Sequence, residues 1–333
     1  MTRERQRDEP AEAAERMTSR DAGRAKPLET IRRLLEMIRF SHSLFALPFA
    51  ILAAMVAWNV PGPDGAAVPF RLMHLIGILV CMVGARSAAM AFNRLVDRRW
   101  DAANPRTAGR HLPAGTLSVG TVVLFTLVSI AIFFAGTAFF LPNVVPLIAA
   151  APVLAWLLGY SYAKRFTSLA HFWLGIALGL SPLAAWLALR GEWLLSHPTD
   201  LLPAATISIA VLLWVAGFDI IYACQDRDYD ATAGLRSVPV RLGIAGALRA
   251  AAVCHALMIA VLALLPWVET WGGPPLGLGP IYVAGLIGIA ILLVVEHALV
   301  RPHDLARVNV AFFQVNVAVA LALLAIVAAD LIW

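Results

Sequence analysis

The stretch LMHLIGILVCMVGARSAAMAFNRLVD, residues 72–97, is predominantly apolar, with Arg86 its one Asp, Glu, Lys or Arg until it ends in Asn93, Arg94 and Asp97. A helix needs about 20 such residues to cross the hydrocarbon core of a bilayer, so this stretch predicts a membrane span. Working outward, comparable segments lie near residues 41–58, 117–140, 143–162, 169–189, 202–225, 243–266, 280–300 and 308–332. Turn clusters such as Pro61-Gly62-Pro63-Asp64-Gly65 and Gly272-Gly273-Pro274-Pro275 separate them. Backbone groups in lipid must be satisfied within the segment, which leaves helices as the economical solution. The chain therefore reads as an all-α polytopic membrane protein, with nine transmembrane helices filling residues 41–333 around a central cavity.

Composition agrees. Of 333 residues 60% are apolar and 14% charged, against roughly 45–50% and about 25% in a typical soluble domain, and the mean hydropathy is +0.78. Residues 1–27 are crowded with charges of both signs and read as a disordered cytoplasmic tail, with Met17 an alternative start. Residues 28–40 place Leu28, Ile31, Leu34, Leu35 and Ile38 at helical spacing, as in an amphipathic helix lying on the membrane surface. The formal charge of +5 is topological and does not point to nucleic acid. Of 26 Lys/Arg, 23 fall in the N-terminal region or in even-numbered loops and adjoining helix ends, leaving Arg71 and Arg190 opposite and Arg86 within a span. By the positive-inside rule the amino terminus is cytoplasmic and the carboxyl terminus external, as in a bacterial inner-membrane protein.

The second span ends in Asn93-x-x-x-Asp97-x-x-x-Asp101. At about 100° per residue these side chains fall within about 80° on one helix face, a stripe that Arg86 shares. At the end of the sixth span Asp219, Asp226 and Asp230 fall within about 40° of one another, and Asp219 is deep enough to require a cavity. Either array alone reads equally as a solvated helix end. Together on one side of the membrane they would repel unless a cation lay between them. Mg²⁺ is held by carboxylates plus substrate phosphates, so the arrays suggest Mg²⁺ bridging a diphosphate. Arg106 and Arg110 after the first array, and Arg227, Arg236 and Arg241 around the second, serve as phosphate contacts or as positive-inside markers. A lipid-embedded diphosphate site suits a charged head with an apolar tail, such as an isoprenyl diphosphate, whose allylic group departs as a cation when the diphosphate is stabilised.

The segments FNRLVDRRWDAANPRTAGRHLPAG and FDIIYACQDRDYDATAGLRSVPVRLG resemble the two aspartate-rich motifs of the UbiA superfamily of intramembrane aromatic prenyltransferases. The resemblance implies a Mg²⁺-dependent polyprenyl transfer to an aromatic acid in quinone biosynthesis, and covers the chain after residue 30. It implies Asn93, Asp97, Asp101, Asp226 and Asp230 as metal ligands, the four aspartates being catalytic. It places Arg110 of the R-x-x-P-x-G element on the diphosphate, and Tyr160 and Lys164 match Y-x-x-x-K; Asp219 and Arg236 join the substrate-binding set. Lys164 is one of two lysines in the chain. Arg39 matches an arginine expected on the acceptor's carboxylate. Without the resemblance, Arg39 is an interfacial arginine and Lys164 a snorkelling lysine.

Two departures limit the resemblance: Arg94 stands where many members carry an aspartate, so one acidic contact is absent, and Phe40-Ser41-His42-Ser43 stands where many 4-hydroxybenzoate enzymes carry a basic residue and proline, which bears on the acceptor. The expected substrates are a polyprenyl diphosphate and 4-hydroxybenzoate, with 1,4-dihydroxy-6-naphthoate as the menaquinone-pathway alternative. No obligate protein partner is expected beyond membrane lipid. An organic-anion transporter also uses intramembrane Asp and Arg, but would not need paired acidic arrays at one end. A CDP-alcohol phosphotransferase would carry a dense D-G-x-x-A-R run, which is absent. Cys81, Cys224 and Cys254 read as buried thiols, the histidines show no zinc spacing, and there is no P-loop. His171 reads as a satisfied interfacial histidine or an acceptor contact.

Overall fold

A computed structural model of the chain describes residues 27–38, 46–66 and 68–332. Arg39 and the stretch that follows it, like the tail before Pro27, lie outside the described residues. Helix dominates: α1 Pro27–Met37, α2 Leu47–Asn59, α3 Leu72–Ala103, α4 Val119–Thr137, α5 Val145–Phe166, α6 Ala170–Arg190, α7 Leu202–Ala223, α8 Arg227–Thr232, α9 Val238–Ala263, α10 Pro280–Leu299 and α11 Val308–Ile332. Eight of the described helical stretches are long and apolar enough to cross a membrane; α2, at 13 residues, is apolar but shorter. The chain is an integral membrane protein. The all-helical membrane fold is as expected; eight of the nine expected spans are matched among the described residues, and the first corresponds to α2, whose segment is described only in part.

Helix ends follow local chemistry. Ser118 and Ser237 accept hydrogen bonds from the backbone N–H of Thr121 (3.1 Å) and Val240 (3.4 Å), capping α4 and α9. Helix α9 thus starts five residues before the apolar segment, and a φ of +69° at Gly243 bends it there. Helix α3 runs six residues beyond the apolar segment; at about 1.5 Å per residue its 32 residues exceed the bilayer core, so its array projects past the apolar slab.

The centre of the bundle is α7, more than half of whose most apolar window is buried, whereas in α5 that share is 17%. Trp214, Val211, Val215 and Phe218 of α7 pack with Phe49 of α2 and Trp186 of α6 in the main core. Glycines in α6 permit this closeness: a Cβ at Gly175 or Gly179 would stand 2.5 or 2.7 Å from the carbonyl oxygens of Leu212 and Ser208. Asn316 in α11 donates to Glu296 Oε1 (2.8 Å) and to the carbonyl of Ala311 (3.0 Å), and accepts from Trp214 Nε1 (2.6 Å). This ties α7, α10 and α11 around the π-helical turn Ala311–Val315, which carries Phe312 to the cavity wall.

Helix α1 divides its apolar residues between two faces. Leu34 and Met37, with Ile38 beyond the helix end, pack against Ala91, Leu117 and Val122, while Leu28, Ile31 and Leu35 face outward. At the opposite end of the bundle Arg190 is fully buried. It binds Asp200 through two nitrogens (2.9 and 2.5 Å), donates to the carbonyls of Ala57, Val60 and Pro61, and lies over Trp186 and Trp193. Its place against the charge bias of the loops is thereby explained: it satisfies the carbonyl end of α2.

Candidate active site

The end of α3, the loop after it, the end of α5 and the α7–α8 junction enclose a cavity of about 310 Å³. Nine of the sequence-predicted residues line it: Asn93, Asp97, Asp101, Arg110, Tyr160, Lys164, Asp219, Asp226 and Asp230. The second array does not occupy one ideal helix. A 3₁₀ turn, Cys224–Asp226, breaks α7 from α8, and the tightened turn still delivers Asp226 and Asp230 to the same cavity as Asp219.

The two arrays are held together by the protein's own cations. Arg165 Nη2 donates to Asp97 Oδ1 (3.1 Å), Arg110 Nη1 to Asp101 Oδ1 (2.6 Å) and Lys164 Nζ to Asp230 Oδ2 (3.0 Å). Arg106 grips both oxygens of Asp226, at 2.7 and 2.6 Å, and donates to the Tyr222 hydroxyl at 3.2 Å. Burial opposes the charge on Arg106, but bonding to Asp226 outweighs it and raises the guanidinium above its usual range. Each motif aspartate thus already has a basic partner, so the protein's own side chains place cations between the two arrays. Among the described residues no cluster of three or more His, Cys, Asp or Glu is arranged around a metal position. Asp101 Oδ2 is nonetheless buried without a hydrogen bond, 3.9 Å from Arg94 Nη1, and Asn93 Nδ2 donates to Asp97 Oδ2 at 2.8 Å. An all-oxygen donor set with one unsatisfied buried oxygen fits a hard divalent cation.

Other predicted contacts fall elsewhere. Arg236 donates its backbone N–H to the Lys164 carbonyl (2.7 Å) and Nη1 to the Phe166 carbonyl (2.8 Å), and is not in the lining. Arg227 pairs with Asp228 (2.9 Å), and neither Arg227 nor Arg241 lines the cavity. Arg94, at the position where the motif departs from the common pattern, is buried between Asn93 and Asp101. Sequence reasoning passed over Arg165, whose neighbour Lys164 was the signal, and gave Arg86 no role. Arg86 lines the cavity from mid-span, and its buried Nε has no hydrogen-bond partner among the described residues.

Below the polar mouth a second, largely apolar cavity of about 210 Å³ lies among α3, α5 and α6. Arg86, Met90, Asn93, Tyr160, Leu174 and Leu178 line both, so the two spaces adjoin. A charged mouth over an apolar pocket can hold an anionic head and a hydrocarbon tail together.

The sequence pattern of the UbiA prenyltransferase family matches residues 43–325. Over 261 residues the chain is 32% identical to a 4-hydroxybenzoate octaprenyltransferase of Aeromonas salmonicida (strain A449), covering 77% of this chain and 84% of that one. A 4-hydroxybenzoate octaprenyltransferase of Aromatoleum aromaticum is 28% identical, covering 75% and 80%. The apo structure of a UbiA homolog from Aeropyrum pernix K1 superposes with a TM-score of 0.74 at 33% identity, over 87% of this chain and 98% of that chain. A UbiA homolog from Archaeoglobus fulgidus bound to GPP and Mg²⁺ shares the fold at 18% identity, with a TM-score of 0.62 over 89% and 99%. The transporter and phosphotransferase readings are set aside, for this integral membrane chain is an enzyme of the UbiA prenyltransferase family.

Proposed function

We propose that the enzyme transfers a polyprenyl group from its diphosphate to the ring carbon ortho to the hydroxyl of 4-hydroxybenzoate. The observation that carries this reading is the junction of the two cavities: ionic side chains at the mouth, apolar walls beneath, and between them Arg86, whose buried Nε has no hydrogen-bond partner among the described residues. The relatives named 4-hydroxybenzoate octaprenyltransferase support the choice of acceptor.

Asn93, Asp97, Asp101, Asp226 and Asp230 would hold Mg²⁺, which when bound neutralises charge on the diphosphate. Arg106, Arg110, Lys164 and Arg165, now on carboxylates, are placed to turn to the diphosphate oxygens. Arg suits bidentate phosphate contact and Lys supplies a point charge. The tail lies along Met90, Leu174 and Leu178, where the apolar wall excludes water from the allylic carbon. Arg86 receives the acceptor's carboxylate, a role the sequence reading gave to Arg39. An acid that accepts from a buried guanidinium N–H without a described partner gains a charge-assisted hydrogen bond and removes a desolvation penalty. The arginine-rich face of the bundle then lies at the cytoplasm, and Leu28, Ile31 and Leu35 of α1 rest in the lipid interface.

Purified enzyme, geranyl or octaprenyl diphosphate, Mg²⁺ and 4-hydroxybenzoate should yield a product heavier by the prenyl group. Prenylation of 1,4-dihydroxy-6-naphthoate in preference to 4-hydroxybenzoate would replace the acceptor, and absence of any prenylated acid would overturn the reading.

A further inference from the structure

Four of the five cavity aspartates are each paired with an arginine or lysine, as described above. Asp219 is the exception. Its Oδ2 accepts a 2.6 Å hydrogen bond from Nδ1 of His171, whose side chain is fully buried. The other ring nitrogen of His171, Nε2, faces the backbone N–H of Val238 at 3.4 Å. These two contacts fix the plane of the imidazole between α7 and the start of α9. Asp219 is therefore oriented by a histidine, with no arginine or lysine paired to it among the described residues. Its Oδ1 has no hydrogen-bond partner among the described residues, and the residue lines the cavity. It precedes Asp226 by seven residues, about 10 Å along the helix, which sets it one layer beneath the diphosphate-binding carboxylates.

We propose that Asp219 is the base that removes the ring proton, with His171 as its positioning residue. The inference rests on the aromatic prenyl transfer proposed above. The allylic C–O bond breaks, and its electron pair leaves on the diphosphate. The ring carbon ortho to the hydroxyl supplies the pair for the new C–C bond. That carbon then gives its proton to Asp219 Oδ1, and the C–H pair restores the aromatic ring. Asp219 later yields the proton to solvent through the mouth, so the products are the prenylated acid, diphosphate and one proton. A carboxylate already paired with guanidinium would be a poorer acceptor, because a fixed cation favours its ionised form. The histidine holds the carboxylate at one angle, leaving the second oxygen free for the substrate.

The test compares turnover of 4-hydroxybenzoate with that of its ring-deuterated form. Asp219→Asn keeps the volume and should lower kcat by about 10²- to 10⁴-fold, the range of general-base contributions. KM for both substrates should stay within about threefold, Mg²⁺-dependent binding of geranyl diphosphate should persist, and the deuterium isotope effect on kcat should rise as proton removal becomes limiting. His171→Leu should show the same signature at smaller amplitude. His171→Asn, whose amide can replace the Nδ1 donor, should restore most turnover. A kcat for Asp219→Asn within tenfold of the unsubstituted enzyme overturns the assignment, as does a loss confined to KM. Should Asp219→Asn fail to bind geranyl diphosphate, the His171 pair decides: an isotope effect equal to the unsubstituted enzyme's in His171→Leu also overturns it. Absence of prenylated acid from the unsubstituted enzyme overturns this inference together with the reading beneath it, whereas normal turnover in both enzymes overturns only the base.

Discussion

Arg106, in the loop after α3, crosses the cavity mouth and binds Asp226, in the 3₁₀ turn between α7 and α8, through two parallel hydrogen bonds of 2.7 and 2.6 Å. The pair joins the two acidic arrays across 120 residues of sequence. In the proposed cycle this guanidinium moves from carboxylate to diphosphate. Arg106→Ala should lower kcat/KM for the prenyl diphosphate by roughly 30- to 150-fold, the worth of a charge-assisted bidentate contact of about 2–3 kcal/mol. Arg106→Lys should recover part of it, and steady-state kinetics with varied donor reads both.

Metal dependence gives a second check. EDTA should abolish turnover and added Mg²⁺ restore it. Asp97→Asn and Asp226→Asn should each remove most activity while the protein still elutes as a folded species in detergent, since neither changes side-chain volume. Normal turnover by either variant at limiting Mg²⁺ would remove that residue from the ligand set.

Arg86 should govern the acceptor and leave the donor alone. With Arg86→Met, KM for 4-hydroxybenzoate should rise by about 10- to 100-fold, with the prenyl-diphosphate KM little changed. The preference for 4-hydroxybenzoate over phenol should shrink by a similar factor. A defect in donor KM alone would place Arg86 on the diphosphate instead.

The Arg190–Asp200 pair sits at the far end of the bundle and should affect stability with little effect on chemistry. Arg190→Met leaves Asp200 buried without its partner and should cost about 3–5 kcal/mol, read as a lowered Tm in detergent. The double variant Arg190→Met, Asp200→Leu should recover part of the loss. Residual turnover measured well below Tm should stay near normal in both.

Orientation can be read by impermeant thiol labelling of intact cells. Cysteines at Pro63 and Pro275 should react from outside, and one at Gly109, beside the cavity mouth, should not. The native Cys224 and Cys254 are buried and Cys81 is partly buried, which keeps background labelling low. The reverse pattern would put the site on the external face.

Much of this protein is decided by local properties of its chain. Long apolar segments force helices wherever backbone groups lack water, so the order of helices and the placement of both arrays after the second and sixth segments follow from sequence alone. A spacing of four residues likewise puts Asn93, Asp97 and Asp101 on one face. Partnerships between distant residues are a different matter. That Arg165 answers Asp97, Arg106 answers Asp226 and His171 answers Asp219 depends on how α3, α5, α6 and α7 pack. Gly175 and Gly179 allow the close approach of α6 to α7 that is part of that packing. The 3₁₀ turn at Cys224–Asp226 and the π turn at Ala311–Val315 are equally tertiary, since no local pattern separates them from continuous helix. Arg86 shows the division most plainly: the sequence places a costly charge in mid-span, and only packing decides that it faces a cavity and lacks a described partner.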